Sequence, residues 1–142
     1  MMQSVTVNEH TNIPGWIRDF YADLDDLKLG NGFDIFIPEV QMIFGTARIQ
    51  GIAAIKDFFR TIDSPLNTKH IVERFWDGGS TKLIQGKAIL APKTDPDNAT
   101  TIPFFHVFSL ASGHMEKVAY LFIVAGPVDP EKSIPDINQE GL

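Results

Sequence analysis

Two segments near the end of the chain, TIPFFHVFSL at residues 101–110 and MEKVAYLFIVA at 115–125, are apolar on both of their alternating faces. In the first, Phe104 and Phe108 stand at one parity and Phe105 and Val107 at the other; in the second, Tyr120, Phe122 and Val124 oppose Leu121 and Ile123. A strand with one wet face alternates apolar with polar residues, so these strands must be covered twice. Helices can supply one cover, and a second copy of the chain is the simplest candidate for the other. Within this apolar setting His106 is either a hydrogen-bonded core group or a side chain aimed into a cavity.

The two segments close a run of strands that begins at His70: HIVERFW, a turn at Asp77-Gly78-Gly79-Ser80, TKLIQGKAILA, the loop PKTDPDNAT, then the doubly apolar pair joined at Ala111-Ser112-Gly113. Strands linked by short turns form an antiparallel meander. Upstream the period is helical. Trp16, Ile17, Phe20, Tyr21 and Leu24 share one face, Pro14 sits in the first turn, and Arg18, Asp19 and Asp23 lie opposite. A second helix, GIAAIKDFFRTI, carries Ile52, Ile55, Phe59 and Ile62 on one side and stops at Ser64-Pro65. Between the helices Gly30-Asn31-Gly32 breaks the chain, Phe33 to Ile37 reads as one helical turn, and Val40, Met42 and Phe44 alternate as a strand. Helices followed by a sheet make an α+β domain.

A chain of 142 residues fits one domain, which buries roughly 70% of its unfolded surface. The expected division is a flexible leader at 1–11, a single domain at 12–128, and a proline-bearing tail at 129–142 that packs loosely or is disordered. A formal charge of −6 with only 12 scattered Lys and Arg argues against nucleic acid or an anionic membrane as partner. The absence of cysteine excludes disulfides, a thiolate nucleophile and a Cys-based zinc site. Neither a signal-peptide pattern nor an apolar run of about 18 residues is present. These features read as a cytoplasmic protein, in which the Asn98-Ala99-Thr100 sequon carries no glycan.

The segments WIRDFYADLDD, the strand ending in Phe44, GIAAIKDFF, the His70 strand with its Asp77-Gly78 turn, IPFFHVFSL and SGHMEKVAY resemble, in this order, the SnoaL-like branch of the nuclear transport factor 2 superfamily. Ketosteroid isomerase, limonene epoxide hydrolase and scytalone dehydratase belong to the same superfamily. The resemblance spans roughly residues 12 to 128. It implies a cone-shaped, curved antiparallel sheet wrapped around N-terminal helices (the cystatin-like or nuclear transport factor 2-like fold), a deep apolar pocket, and a homodimer joined through the sheets. It also implies proton transfer, dehydration, ring closure or epoxide opening with no metal and no organic cofactor.

By the same resemblance Tyr21 falls where ketosteroid isomerases place a tyrosine that holds a developing oxyanion, and His106 falls where they place its partner donor. Their general base, an Asp at the end of the first strand, corresponds to Phe44. The Asp that related cyclases carry late on the last strand has only Tyr120 near its place. Histidine must then supply the proton transfer, and His70 stands where SnoaL-like relatives often show one.

The candidate catalytic residues are His106, His70 and Tyr21. The candidate walls are Trp16, Phe20, Phe44, Phe58, Phe104 and Phe108, with Trp76 either at a sheet edge or on the cavity and Tyr120 either in the pocket or on the dimer face. His10 and His114 read as surface residues, Asp25 and Asp26 as a solvated helix end, and LGNGF and WDGGS as turns. No spacing offers His70 and His106 a third metal ligand. Two functions compete: a cofactor-free isomerase, cyclase or dehydratase acting on a hydrophobic, polycyclic or terpenoid-like molecule, and a non-catalytic ligand-binding or dimerisation module. A cavity of at least about 300 Å³ on which the three side chains converge would favour the first.

Overall fold

The structure is a computed structural model that describes residues 3–6 and 13–126. The apolar spacing of residues 17–24 folds as helix α1, Gly15–Asp26, preceded by Pro14 and burying Ile17, Phe20, Tyr21 and Leu24. Asp23 does not simply face solvent: its carboxylate accepts the backbone N–H groups of Gly30 and Gly32 at 3.0 and 2.7 Å. That clamp folds the chain back through a short 3₁₀ turn, Asn31–Phe33. A Cβ on Gly32 would lie 2.4 Å from the Asp19 carbonyl oxygen, so only glycine permits the approach.

The helical turn expected from Phe33 to Ile37 is shorter and earlier, because strand β2, Phe36–Phe44, already begins there. A short strand not anticipated from sequence, β3 (Ala47–Gln50), leads into helix α2, Ile52–Asp63. Along α2 the buried positions are Ile55, Phe59 and Asp63, an i, i+4, i+8 stripe whose last member is an acid. The meander follows as β4 (Leu66–Asp77), β5 (Thr81–Pro92), β6 (Thr100–Ala111) and β7 (His114–Ala125). Strand β4 starts before His70 because Leu66 to Lys69 pair with β5 while alternating between half-buried and exposed.

Within the segment expected to be a flexible leader, Gln3–Thr6 forms an edge strand, β1, paired with Arg74 to Asp77 of β4. The rest of that leader, with His10, and the tail at 129–142 lie outside the described residues. The sheet order is β1-β4-β5-β6-β7-β2-β3. All neighbours are antiparallel except β2 and β7, which run parallel, so the sheet is mixed where the meander alone predicts antiparallel pairing.

Helix α2 touches β4 as well as β2 and β3. In a flat sheet β4 and β2 would stand about 19 Å apart, four strand spacings, whereas a helix is only about 10–12 Å across. The sheet therefore curls around the helices, and register shifts in β4 between Val72 and Arg74, and between β6 and β7 near Leu110, supply the bends. Curling gives the α+β cone a concave inner face and a convex outer one. On β6 the inner face takes Phe104, His106, Phe108 and Leu110. On β7 the inner side chains Leu121 and Ile123 are buried, while Phe122 and Val124 are 38% and 49% exposed.

Candidate functional site

His106 stands on the concave face with Ile84 of β5 and Ile123 of β7 as its cross-strand neighbours, and is 3% exposed. Its Nδ1 lies 2.6 Å from the Tyr21 hydroxyl, 85 residues away in sequence. Burial raises the Tyr21 pKa well above its ordinary value, with the Asp25 charge adding to the effect, so the phenol keeps its proton. Burial, and then the nearby His70, push the His106 pKa well below that of a free imidazole. The tautomer follows from satisfaction: if Nδ1–H donated to Tyr21, the buried phenolic proton would have no described acceptor, at a cost of about 1–3 kcal/mol. Tyr21 Oη–H therefore donates to Nδ1, and Nε2 carries the hydrogen. Among the described residues no sealed side-chain nitrogen or oxygen lacks a partner. Nε2 has none among the described residues, so it opens onto the cavity that His106 lines.

His70, on β4 opposite Ala88, is held by a different device. The Asp25 carboxylate accepts from His70 Nδ1–H at 2.6 Å and from the His70 backbone N–H at 2.9 Å, with the Thr68 hydroxyl at 3.5 Å. Asp25 is thus the orienting partner of a histidine and not a solvated helix end. With Nδ1–H committed, Nε2 is the nitrogen left for the cavity. The Tyr21 ring stacks on both imidazoles, at centroid distances of 5.3 Å to His70 and 5.6 Å to His106, and the imidazoles are 6.1 Å apart. Small residues on β5 leave room for this group: Ala88 opposite His70, and Gly86 between Val72 and Phe104. A Cβ on Gly86 would lie 2.1 Å from the Ile71 carbonyl oxygen and 2.9 Å from the Phe104 ring.

The cavity in front of the histidines has a volume of about 160 Å³. Its polar lining is His70, His106 and Asp63; Phe44, Phe59 and Phe104 supply aromatic walls, and half-buried Ile62, Leu66 and Ile102 line its outer part. The volume is about half the expected size, because side chains of both helices, Leu24 and Phe59 among them, fill the cone. Asp63, which sequence reasoning passed over, is 8% exposed on the last turn of α2. Burial raises its carboxyl from 3.8 to about 6, the His70 charge opposes the rise and Asp25 adds to it. Its signal was available: an acid at the i+8 position of an apolar stripe.

The three candidate catalytic residues do converge, but Tyr21 is not on the cavity wall and meets it only through its hydrogen bond to His106. Of the candidate walls, Phe44 and Phe104 line the cavity. Phe20 and Phe108 are core residues whose rings meet edge to face, and Trp16 packs against Phe108. Phe58 supports Phe44 from behind at 5.3 Å. Trp76 meets Phe105 on the convex face, where the parity of β7 also puts Tyr120. Among the described residues no three His, Asp or Glu side chains cluster as a metal site, and no helix is long and apolar enough to cross a membrane.

No family model matches the chain, and no curated protein matches it in sequence. Solved structures do match it in shape. TerC, co-crystallised with polyporic acid, superposes with a TM-score of 0.66 at 16% identity, covering 79% of this chain and 89% of its own. A protein described as a SnoaL-like polyketide cyclase from Shewanella denitrificans gives 0.67 at 10% identity over 89% and 96% of the two chains. A protein of ketosteroid isomerase-like fold from Catenulispora acidiphila, in complex with trimethylamine, gives 0.67 at 12% identity over 78% and 85%. At these identities the likeness establishes the fold: the chain has the nuclear transport factor 2-like fold that its sequence resembles.

Proposed function

We propose that the chain is a cofactor-independent isomerase, cyclase or dehydratase that moves a proton on a small hydrophobic substrate. One observation carries this reading: two imidazoles present Nε2 to one apolar cavity while separate partners anchor their Nδ1 atoms. His106 is a fixed, uncharged donor whose N–H can hold a carbonyl or developing enolate oxygen without first losing a charge. His70, oriented by Asp25, is the proton-transfer group, and the dry lining strengthens both interactions. Tyr21 positions His106. Solved neighbours of this fold bear cyclase names, and one was co-crystallised with polyporic acid, in keeping with this class.

The reading includes a homodimer in a cytoplasmic setting. Trp76, Leu83, Val107, Phe122 and Ile43 are successive cross-strand partners on the convex face, a continuous apolar row that a second sheet would cover. Sedimentation at micromolar concentration tests it, with Phe122→Glu expected to give monomer.

The chemistry is tested by incubating small cyclic ketones and β,γ-enones with the protein in deuterated buffer and following deuterium uptake by NMR. Uptake above the buffer rate is expected for the native chain, with a loss of at least about 100-fold in His70→Gln. Binding without uptake in any member of the panel would favour a non-catalytic ligand-binding module instead.

A further inference from the structure

The carboxylate that ketosteroid isomerases place at the end of the first strand is Phe44 here, and Phe44 does line the cavity. The same cavity receives a carboxylate from a different element, Asp63 on the last turn of α2.

Three features of Asp63 run against what a helix would choose. It ends the apolar stripe of Ile55 and Phe59 at 8% exposure. It sits at the C-terminal end, where the negative pole of the helix disfavours an acid. Among the described residues no hydrogen-bond donor is paired with it; its neighbours in charge are His70 and Asp25. A leucine at this position would remove all three costs, so packing does not account for the carboxyl. Residues that break local rules without compensation concentrate where function needs them. Burial also brings the carboxyl to about 6, where it can both take and return a proton near neutrality.

We propose that Asp63 is the catalytic base of this cavity, taking a proton from a carbon atom of a neutral, single-ring substrate whose oxygen or nitrogen His106 holds. The substrate class follows from the lining. A cavity of about 160 Å³ is close to the engineered cavity of about 150 Å³ that takes up benzene. Eleven of the fourteen lining residues are apolar and none is Lys or Arg, so an anionic substrate would meet the Asp63 carboxylate and no fixed positive charge. His70, coupled electrostatically to both Asp63 and His106, takes the proton over from the Asp63 carboxyl and returns it to the product. The assignment deepens the proton-transfer reading and rests on it.

The test uses 1,2-benzisoxazole, a neutral ring compound that needs only a base. The base takes the hydrogen on C3, that C–H electron pair forms the nitrile as the N–O bond breaks, and 2-cyanophenolate is released; the proton on the base then passes to water. Phenolate absorbance is followed against pH for the native chain, Asp63→Asn and His70→Gln. The native rate is expected to rise through an inflection near pH 6. Asp63→Asn is expected to lower kcat/KM at least about 100-fold at about pH 7.5 and to erase the inflection, while keeping a cooperative melt; His70→Gln keeps the inflection. If His70→Gln abolishes the reaction and Asp63→Asn does not, the histidine reading stands and Asp63 is not the base. Rates at the buffer level for all three proteins, with the compound shown to bind, overturn both assignments.

Discussion

The two imidazoles of the cavity are 6.1 Å apart and are held by opposite means. His106, on the floor, is paired with a neutral phenol inside the core. His70, towards the edge, is paired with a carboxylate, its side chain 11% exposed and that of Asp25 19%. A neutral partner in a dry setting fixes a tautomer and keeps charge away. A charged partner at the margin orients the ring and stabilises the imidazolium that proton transfer creates. The floor is therefore built for a constant donor and the edge for a changing one, and each of the following measurements can break that division.

The largest effect is expected at the seam between the two regions. Gly86 lies between Val72 and Phe104, one residue pair from each histidine along its strand. Gly86→Val would drive a side chain into the Ile71 carbonyl and the Phe104 ring, at a cost of at least about 3 kcal/mol. Calorimetry should show a melting point lower by about 12 °C or more. A fall of a degree or two would mean that the sheet can open there, and that the histidine spacing is not set by packing.

Next in size is a gain. Asp63 has a folded pKa of about 6 against 3.8 for the free carboxyl, so the folded state binds the proton more tightly, and the stability this confers is lost as pH rises through about 6. Above that pH the buried charge costs about 2–3 kcal/mol. Asp63→Asn should be more stable by about that amount at pH 8, and by nothing at pH 4. Denaturant melts at the two pH values decide it. A variant less stable than the native chain at pH 8 would show that the carboxylate has a structural partner.

Much of this was legible in the sequence. The face of α1 and the doubly apolar β6 and β7 are carried by strong repeats of large side chains, and those elements formed as read; β2 kept its strand period but begins at Phe36, inside the helical turn expected there. His70, His106 and Tyr21 were also placed together, through a resemblance in the order of segments. Parity could not orient His106 while both faces of its strand were apolar; the curl of the sheet decided it. Asp25 and Asp63 were missed for one reason: local charge patterning describes a helix end, but only the tertiary fold shows that β4 passes beside Asp25 and that the cavity opens at Asp63. The short strands β1 and β3 lack enough residues to show a period at all.

Tyr21→Phe tests the floor. It leaves His106 Nδ1 buried without its donor, at about 1–3 kcal/mol. The pH dependence has a definite sign. The folded pKa of His106 is depressed below the ordinary 6.5, so below that pH the unfolded chain takes up a proton the folded chain refuses. Stability from this group is complete above about pH 6.5 and falls as the solution is acidified, by up to about 1.4 kcal/mol per pH unit. Asp63 acts in the opposite direction between about pH 6 and 4, so the native chain should show a nearly flat profile there. Asp63→Asn should uncover the slope of His106 alone, and a flat profile in that variant would mean that His106 protonates within the fold.

The smallest effect on stability is expected at the edge, from Asp25→Asn. The amide oxygen can still accept from His70 Nδ1–H, but the new NH₂ group then faces the His70 backbone N–H, which the second carboxylate oxygen accepts in the native chain. One hydrogen bond of a half-buried pair is lost, at about 0.5–1.5 kcal/mol, less than Tyr21→Phe costs on the floor. The order should invert for proton transfer, because the amide no longer stabilises an imidazolium: deuterium uptake should fall at least about 10-fold in Asp25→Asn, and less than that in Tyr21→Phe at equal folded fraction. If Tyr21→Phe is the more damaging to uptake and Asp25→Asn the more damaging to the melt, the roles assigned to the two histidines are exchanged, and His106 is the group that carries the proton.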